Sequence, residues 1–142
     1  MKKVVKFGGS SLASAEQFQK AGNIIFADSG RRYVIPSAPG KRYDGDTKVT
    51  DMLYDCYRAA ESDKNFEDKL KAIQVRYQEI IDGLGLELSL DEQFKEIQKN
   101  FSEKAGTDYA ASRGEYLNGI IMADYLGYEF IDAAEVIFFT EG

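Results

Sequence analysis

Paired glycines close a short apolar run at the very start of this chain, and a helical pattern begins almost at once afterwards. The segment reads Val4-Val5-Lys6-Phe7-Gly8-Gly9-Ser10-Ser11, with helical periodicity from Ser14. A strand that turns into a helix is one half of a repeating strand–helix unit, and the rest of the chain continues the alternation. Lys3 to Phe7 reads as a first strand. Ser14 to Asp28 reads as a helix, with Ser14 and Gln17 as a capping box and Phe18, Ala21, Gly22 and Ile25 on one face. Arg32 to Pro36 reads as a second strand. Strands separated by helices imply a parallel sheet covered by helices. In such folds ligands bind at the carboxyl ends of strands, and both the Gly8-Gly9 turn and the loop after Pro36 lie there.

Downstream the chain turns helical. The loop Ser37 to Asp46 carries strong turn chemistry, and Val49 to Glu61 follows with Leu53, Tyr57 and Ala60 as its stripe. Phe66, Leu70, Ile73, Tyr77 and Ile80 recur at spacings of four and three, as do Leu90, Phe94, Ile97 and Phe101. Gly83 and Gly85 separate the two runs, and Ser89 with Glu92 makes a second capping box. The expectation is a helical hairpin over about residues 64–105, with each run too short for a coiled coil. Thr107 to Leu126 is a further helix that Gly127 stops. Strands are expected at Tyr128 to Ile131 and Val136 to Thr140. No repeat, low-complexity segment or linker interrupts this order.

Composition narrows the function classes. The chain has 142 residues, enough for one domain with a real core, and a net charge of −6. That charge leaves no basic footprint for nucleic acid. No stretch approaches the roughly 18 apolar residues of a membrane span, and Met1-Lys2-Lys3 lacks the apolar core of a signal peptide. Cys56 is the single cysteine, which points to a reducing, cytoplasmic setting. Its place in a helical stripe reads as packing. There is no histidine, so any chemistry proceeds without the commonest general base and metal ligand.

Three segments carry possible chemistry. At Lys6-Phe7-Gly8-Gly9-Ser10-Ser11, glycines let backbone N–H groups approach an anion, the next helix offers a positive dipole end, and the lysine adds a charge. Neither a Gly-x-x-x-x-Gly-Lys-[Ser/Thr] nor a Gly-x-Gly-x-x-Gly sequence is present, and a bare glycine pair is also consistent with a tight turn. The second segment is Ser37-Ala38-Pro39-Gly40-Lys41-Arg42 followed by Lys48-Val49-Thr50-Asp51. It reads either as a solvated loop whose threonine and aspartate cap a helix, or as part of the rim that holds Gly8 and Gly9. The third is Ser112-Arg113-Gly114-Glu115 inside a helix, where glycine costs up to about 1 kcal/mol against alanine. Close packing at Gly114 and Gly119 accounts for it, as does a carboxylate aimed at a ligand ammonium group.

Together these segments resemble the aspartokinases, within the amino acid kinase superfamily. The matching runs are Lys6 to Ser11, Ser37 to Lys41, Val49-Thr50-Asp51-x-Leu53, and Ser112-Arg113-Gly114-Glu115-Tyr116-Leu117. Ala123-x-Tyr125-Leu126-Gly127 and Phe130-Ile131-Asp132-Ala133 are also similar. Kinases for glutamate, acetylglutamate, carbamate or uridylate share the Lys-x-Gly-Gly idea but not the Ser-Arg-Gly-Glu helix. The resemblance implies a three-layer α/β/α kinase fold with a mainly parallel sheet, truncated here, and a helical hairpin insertion. It implies transfer of the ATP γ-phosphoryl group to the side-chain carboxylate of L-aspartate, giving 4-phospho-L-aspartate, the entry to lysine, threonine and methionine biosynthesis. Lys6, Gly8, Gly9 and Ser10 would hold the phosphates, with Lys6 catalytic. Ser37 and Thr50 would contact aspartate, and Glu115 would bind its α-ammonium group. Mg²⁺ would rest on phosphate oxygens and water, so no protein metal ligand is assigned. The implied partners are aspartate and ATP, neither nucleic acid nor membrane, and a homo-oligomer for the full-length protein. Aspartokinases are much longer than this chain. The family's nucleotide loops and regulatory domains are therefore expected to lie outside it, and the 142 residues alone are expected to be inactive. Two alternatives stand beside this reading: a non-catalytic self-association or complementation module, and a kinase for another small carboxylic acid.

Overall fold

The computed structural model describes residues 3–27 and 31–130. Strand β1 (Lys3–Phe7) and strand β2 (Arg31–Pro36) pair in parallel, with Val5 opposite Val34, Lys6 opposite Ile35 and Phe7 opposite Pro36. Helix α1 (Ala15–Phe26) makes the crossover between them. Its cap is half of the expected box: the Ser14 Oγ accepts from the Gln17 N–H at 3.4 Å. Phe18, Ala21, Gly22 and Ile25 form its buried face, as the spacing requires. The pleat sorts the strands in the same way. Phe7 is buried and Val5 and Val34 pack partly against the core, whereas Val4 and Ile35, on the other face, are 64% and 48% exposed.

Four further helices build the larger part of the core: α2 (Val49–Glu61), α3 (Glu67–Gly83), α4 (Asp91–Ser102) and α5 (Thr107–Leu126). Helices α3 and α4 pack on each other and on α2, while α5 packs on α2 and β2. Leu53, Cys56, Tyr57, Ile73, Tyr77, Ile97, Phe101 and Leu117 meet in one interior cluster, with Tyr57 and Phe101 edge to face at 5.2 Å. Cys56 is buried, as its stripe position indicates.

Two sequence expectations shift. Helix α4 begins at Asp91, with Leu90 rather than Ser89 at its N-cap; the Ser89 Oγ accepts from the Asp91 N–H at 3.3 Å. Leu90 is 2% exposed, so burying that side chain fixes the entry to the helix. Residues 128–130, expected to open a strand, carry none. The Tyr128 N–H is committed to the Ala123 carbonyl at 2.8 Å, and Gly127, at φ 71°, donates to Asp124. That is a Schellman cap, and it withdraws the Tyr128 N–H from strand pairing. The Phe130 ring then folds onto α5, 5.7 Å from the ring of Tyr116. Ile131 and the strand expected over Val136 to Thr140 lie outside the described residues.

Candidate functional site

The turn after β1 is shaped by a backbone-to-backbone contact. Gly8 is extended, a 3-10 turn spans Gly9–Leu12, and fully buried Leu12 anchors it. The Gly40 N–H donates to the Gly9 carbonyl at 2.8 Å. A Cβ on Gly9 would lie 2.9 Å from the Ala38 oxygen, and one on Gly40 would lie 2.7 Å from the Gly9 carbonyl carbon. Both glycines are therefore demanded by the fold itself. Gly8 is different: its φ of −77° suits any residue, and a Cβ there would meet nothing within 4 Å. The space that Gly8 keeps clear is open to a ligand.

Hydrogen bonds then tie the second and third segments to this turn. The Ser37 N–H donates to the Phe7 carbonyl at 3.0 Å, so β1 and β2 stay paired to their ends. The Asn118 Nδ2 on α5 donates to the Ser37 carbonyl at 2.8 Å. The Val49 N–H, at the start of α2, donates to the Pro39 carbonyl at 3.0 Å. Gly114 lets α5 close on the loop, because a Cβ there would sit 2.6 Å from that of Ala38. The buried Tyr77 hydroxyl of α3 donates to the Gly114 carbonyl at 2.8 Å, and burial holds that phenol above its ordinary range.

The loop between β2 and α2 is held by charge. Arg42 grips Asp46 through its Nε at 2.8 Å and its Nη2 at 3.1 Å, and its Nη1 reaches Glu79 of α3 at 3.0 Å. The Arg42 hydrogen bonds hold the Asp46 carboxyl well below the usual carboxylate range, and Arg42 is raised in return. Arg76 of α3 reaches the same loop from inside. It is 3% exposed and donates to the carbonyls of Gly40 and Thr47.

The structure thus brings the Gly8–Ser10 turn, Ser37, the α2 start with Thr50, and the Gly114–Glu115 step of α5 to one end of the sheet. Ser10 and Glu115 are exposed, and Ser37 and Thr50 are half-buried. Lys6 stands on the exposed sheet face opposite Ile35, two residues before Gly8. No hydrogen bond or ion pair joins the side chains of Lys6, Ser10, Ser37, Thr50 and Glu115 to the other described residues. Thr50 is not a cap: Lys48 holds that position without a side-chain bond. Arg113 stacks between the rings of Tyr109 and Tyr116, at 4.7 and 4.3 Å. No group of three or more His, Cys, Asp or Glu suited to a metal occurs among the described residues. No helix among them is long and apolar enough to cross a membrane. The sequence pattern does not single out Asn118 or Arg76; it places Tyr77 only in a core stripe, and Arg42 and Asp46 only in the loop, with no pairing between them. The available signal was a polar residue at an apolar position: Asn118 beside Leu117 in the run before Ile120-Ile121-Met122, and Arg76 three residues after Ile73 and four before Ile80 on the α3 stripe.

The Amino acid kinase family profile matches residues 1–142. The chain belongs to the amino acid kinase family. Within that family, it is 37% identical over 141 residues to aspartokinase 3 of Bacillus subtilis (strain 168), covering 94% of this chain and 31% of that protein. The crystal structure of Clostridium acetobutylicum aspartate kinase superposes with a TM-score of 0.89 at 51% identity, over 94% of this chain and 31% of that one. E. coli aspartokinase III in complex with aspartate and ADP shares the fold of this chain, with a TM-score of 0.69 at 24% identity over 89% of this chain and 29% of that one. The chain spans about a third of the length of the relatives it matches.

Proposed function

We propose that this chain is the phosphate- and aspartate-binding part of an aspartate kinase, which transfers the γ-phosphoryl group of ATP to the side-chain carboxylate of L-aspartate. The observation that carries the reading is convergence. Three segments far apart in sequence are held by hydrogen bonds and close packing at the carboxyl end of one parallel sheet, where such folds bind ligands. The 51% identity with a Clostridium aspartate kinase supports the choice of substrate.

In this reading Gly8 leaves room for phosphate, and the backbone N–H groups of Gly9 and Ser10 approach it. Lys6 supplies a charge beside the turn. Ser37 and Thr50 contact aspartate, and Glu115 pairs with its α-ammonium group. The attacking carboxylate has a reference pKa of about 3.9 and is ionised at pH 7. No general base is required, which suits a chain without histidine. The work left to the protein is alignment of the two reactants and stabilisation of charge on the transferred group. Mg²⁺ would be held largely by phosphate oxygens and water and would neutralise phosphate charge there.

The test is a substrate panel on the full-length protein, with acyl phosphate trapped as hydroxamate. ATP-dependent product is expected with aspartate and at most a trace with glutamate, acetylglutamate or carbamate. Preference for another acid would overturn the substrate. Lys6→Ala and Glu115→Ala should each lower kcat/KM by about 10²-fold or more, with Glu115→Ala acting mainly on aspartate.

A further inference from the structure

Arg76 is a buried arginine whose position no packing argument explains. It lies mid-way along α3, among Ile73, Tyr77 and Ile80, and is 3% exposed. Its nearest carboxylate, Asp46, is 3.6 Å away and already carries the bidentate grip of Arg42. Its Nε has no hydrogen-bond partner. A buried guanidinium so weakly compensated is seldom a net gain in stability over an apolar side chain of the same volume. What the guanidinium does hold is backbone: Nη2 donates to the Gly40 carbonyl and Nη1 to the Thr47 carbonyl. These carbonyls lie at the two ends of one loop. At the first end, Gly40 sits against Gly9 and donates to its carbonyl at 2.8 Å. At the second, Thr47 leads into α2, whose first turn holds Thr50.

We propose that Arg76 is a positioning residue for phosphoryl transfer, fixing with one planar group both the Gly9–Gly40 contact under the phosphate turn and the start of α2 that presents Thr50. The inference rests on the aspartate kinase reading for its kinetic consequence, but not for its structural one. Two parallel donors on a rigid fork suit the task. A lysine ammonium presents a single point and cannot set both carbonyls at the same spacing. The helical hairpin that carries α3 is in this way coupled to the chemistry through the backbone of the loop between β2 and α2.

The test uses Arg76→Met and Arg76→Lys in the full-length protein, with three readouts. Hydrogen exchange by mass spectrometry should show faster exchange in the peptide spanning residues 38–48 for both variants, and unchanged exchange in α4. Steady-state kinetics should show kcat/KM falling by about 10²-fold for Arg76→Met, with KM for both ATP and aspartate raised and a smaller loss for Arg76→Lys. Thermal unfolding should show both variants folded at the assay temperature, with a midpoint lowered by no more than the loss of two hydrogen bonds explains. Wild-type exchange in the loop peptide of either variant overturns the positioning role whatever the enzyme's substrate. Wild-type kinetics with a loosened loop overturn its catalytic relevance. An inactive wild-type protein with a loosened loop in the variants overturns the aspartate kinase reading instead. If Arg76→Met does not fold, Arg76→Lys decides by the same exchange and kinetic criteria.

Discussion

The two glycines of the Lys6–Ser11 turn serve different ends, and that difference can be measured. Gly9 is pinned between the Ala38 oxygen and Gly40, so an added Cβ would force backbone apart. Backbone cannot rotate away as a long side chain can, so the cost is that of overpacking, about 1–3 kcal/mol. Gly8 has ordinary φ and open space where a Cβ would go. Gly9→Ala is therefore expected to lower stability by about 1–3 kcal/mol in urea unfolding. Gly8→Ala should leave stability within about 0.5 kcal/mol while raising KM for ATP in the full-length protein. A Gly8→Ala variant with wild-type nucleotide kinetics would show that the open space is solvent and not a phosphate seat. Sequence alone presents the pair as equivalent, because the partner that separates them, Gly40, lies across a crossover helix and a second strand.

The loop between β2 and α2 shows how much an element owes to its charges. Asp46 is held below its ordinary value of 3.8, first by the Arg42 side-chain hydrogen bond and then, against desolvation, by backbone donors from Arg42 and Thr47. A carboxyl whose folded pKa is depressed stabilises the fold above its unfolded value. That contribution shrinks as pH falls below about 4 and disappears as pH passes the folded value. The protein should lose stability on acidification from pH 5 to pH 3, with Asp46→Asn flattening that limb while costing stability at pH 7. Parallel acid limbs for wild type and Asp46→Asn would remove this pair from the acid response. This network was hidden in the sequence for a physical reason. Arg42, Asp46 and Glu79 look like solvated surface residues until α3 is placed against the loop, and the helical hairpin's stripe of Leu70, Ile73, Tyr77 and Ile80 reads as core without revealing what it packs against. Helix α2 was legible from its apolar spacing, Leu53, Tyr57 and Ala60, whereas α5 has no clear apolar stripe and was legible from its stop at Gly127. The strand expected from Tyr128 does not open over residues 128–130, where the Schellman cap commits the Tyr128 N–H to the Ala123 carbonyl.

Across the whole molecule, the sheet positions the site while the helices carry the stability. The two strands bury one face, and on the other Val4 and Ile35 are 64% and 48% exposed. The residues fully removed from water lie mainly on the helices, Leu53, Tyr57, Ile73, Tyr77, Ile97, Phe101 and Leu117 among them. Burial contributes roughly 25 cal/mol per Å² of apolar surface, so a side chain half in water has much less to lose than one wholly inside. Threonine also keeps the branched shape that strands favour. In the 142-residue chain, Val4→Thr and Ile35→Thr are each expected to change unfolding free energy by no more than about 0.5 kcal/mol. Leu53→Ala, at 0% exposure between Gly114 and the α2 core, should cost about 2–5 kcal/mol. Urea titrations followed by far-ultraviolet circular dichroism measure all three. A loss above 1.5 kcal/mol from Val4→Thr or Ile35→Thr would mean that the outer sheet face is packed in solution, and the division of labour between sheet and helices would have to be redrawn.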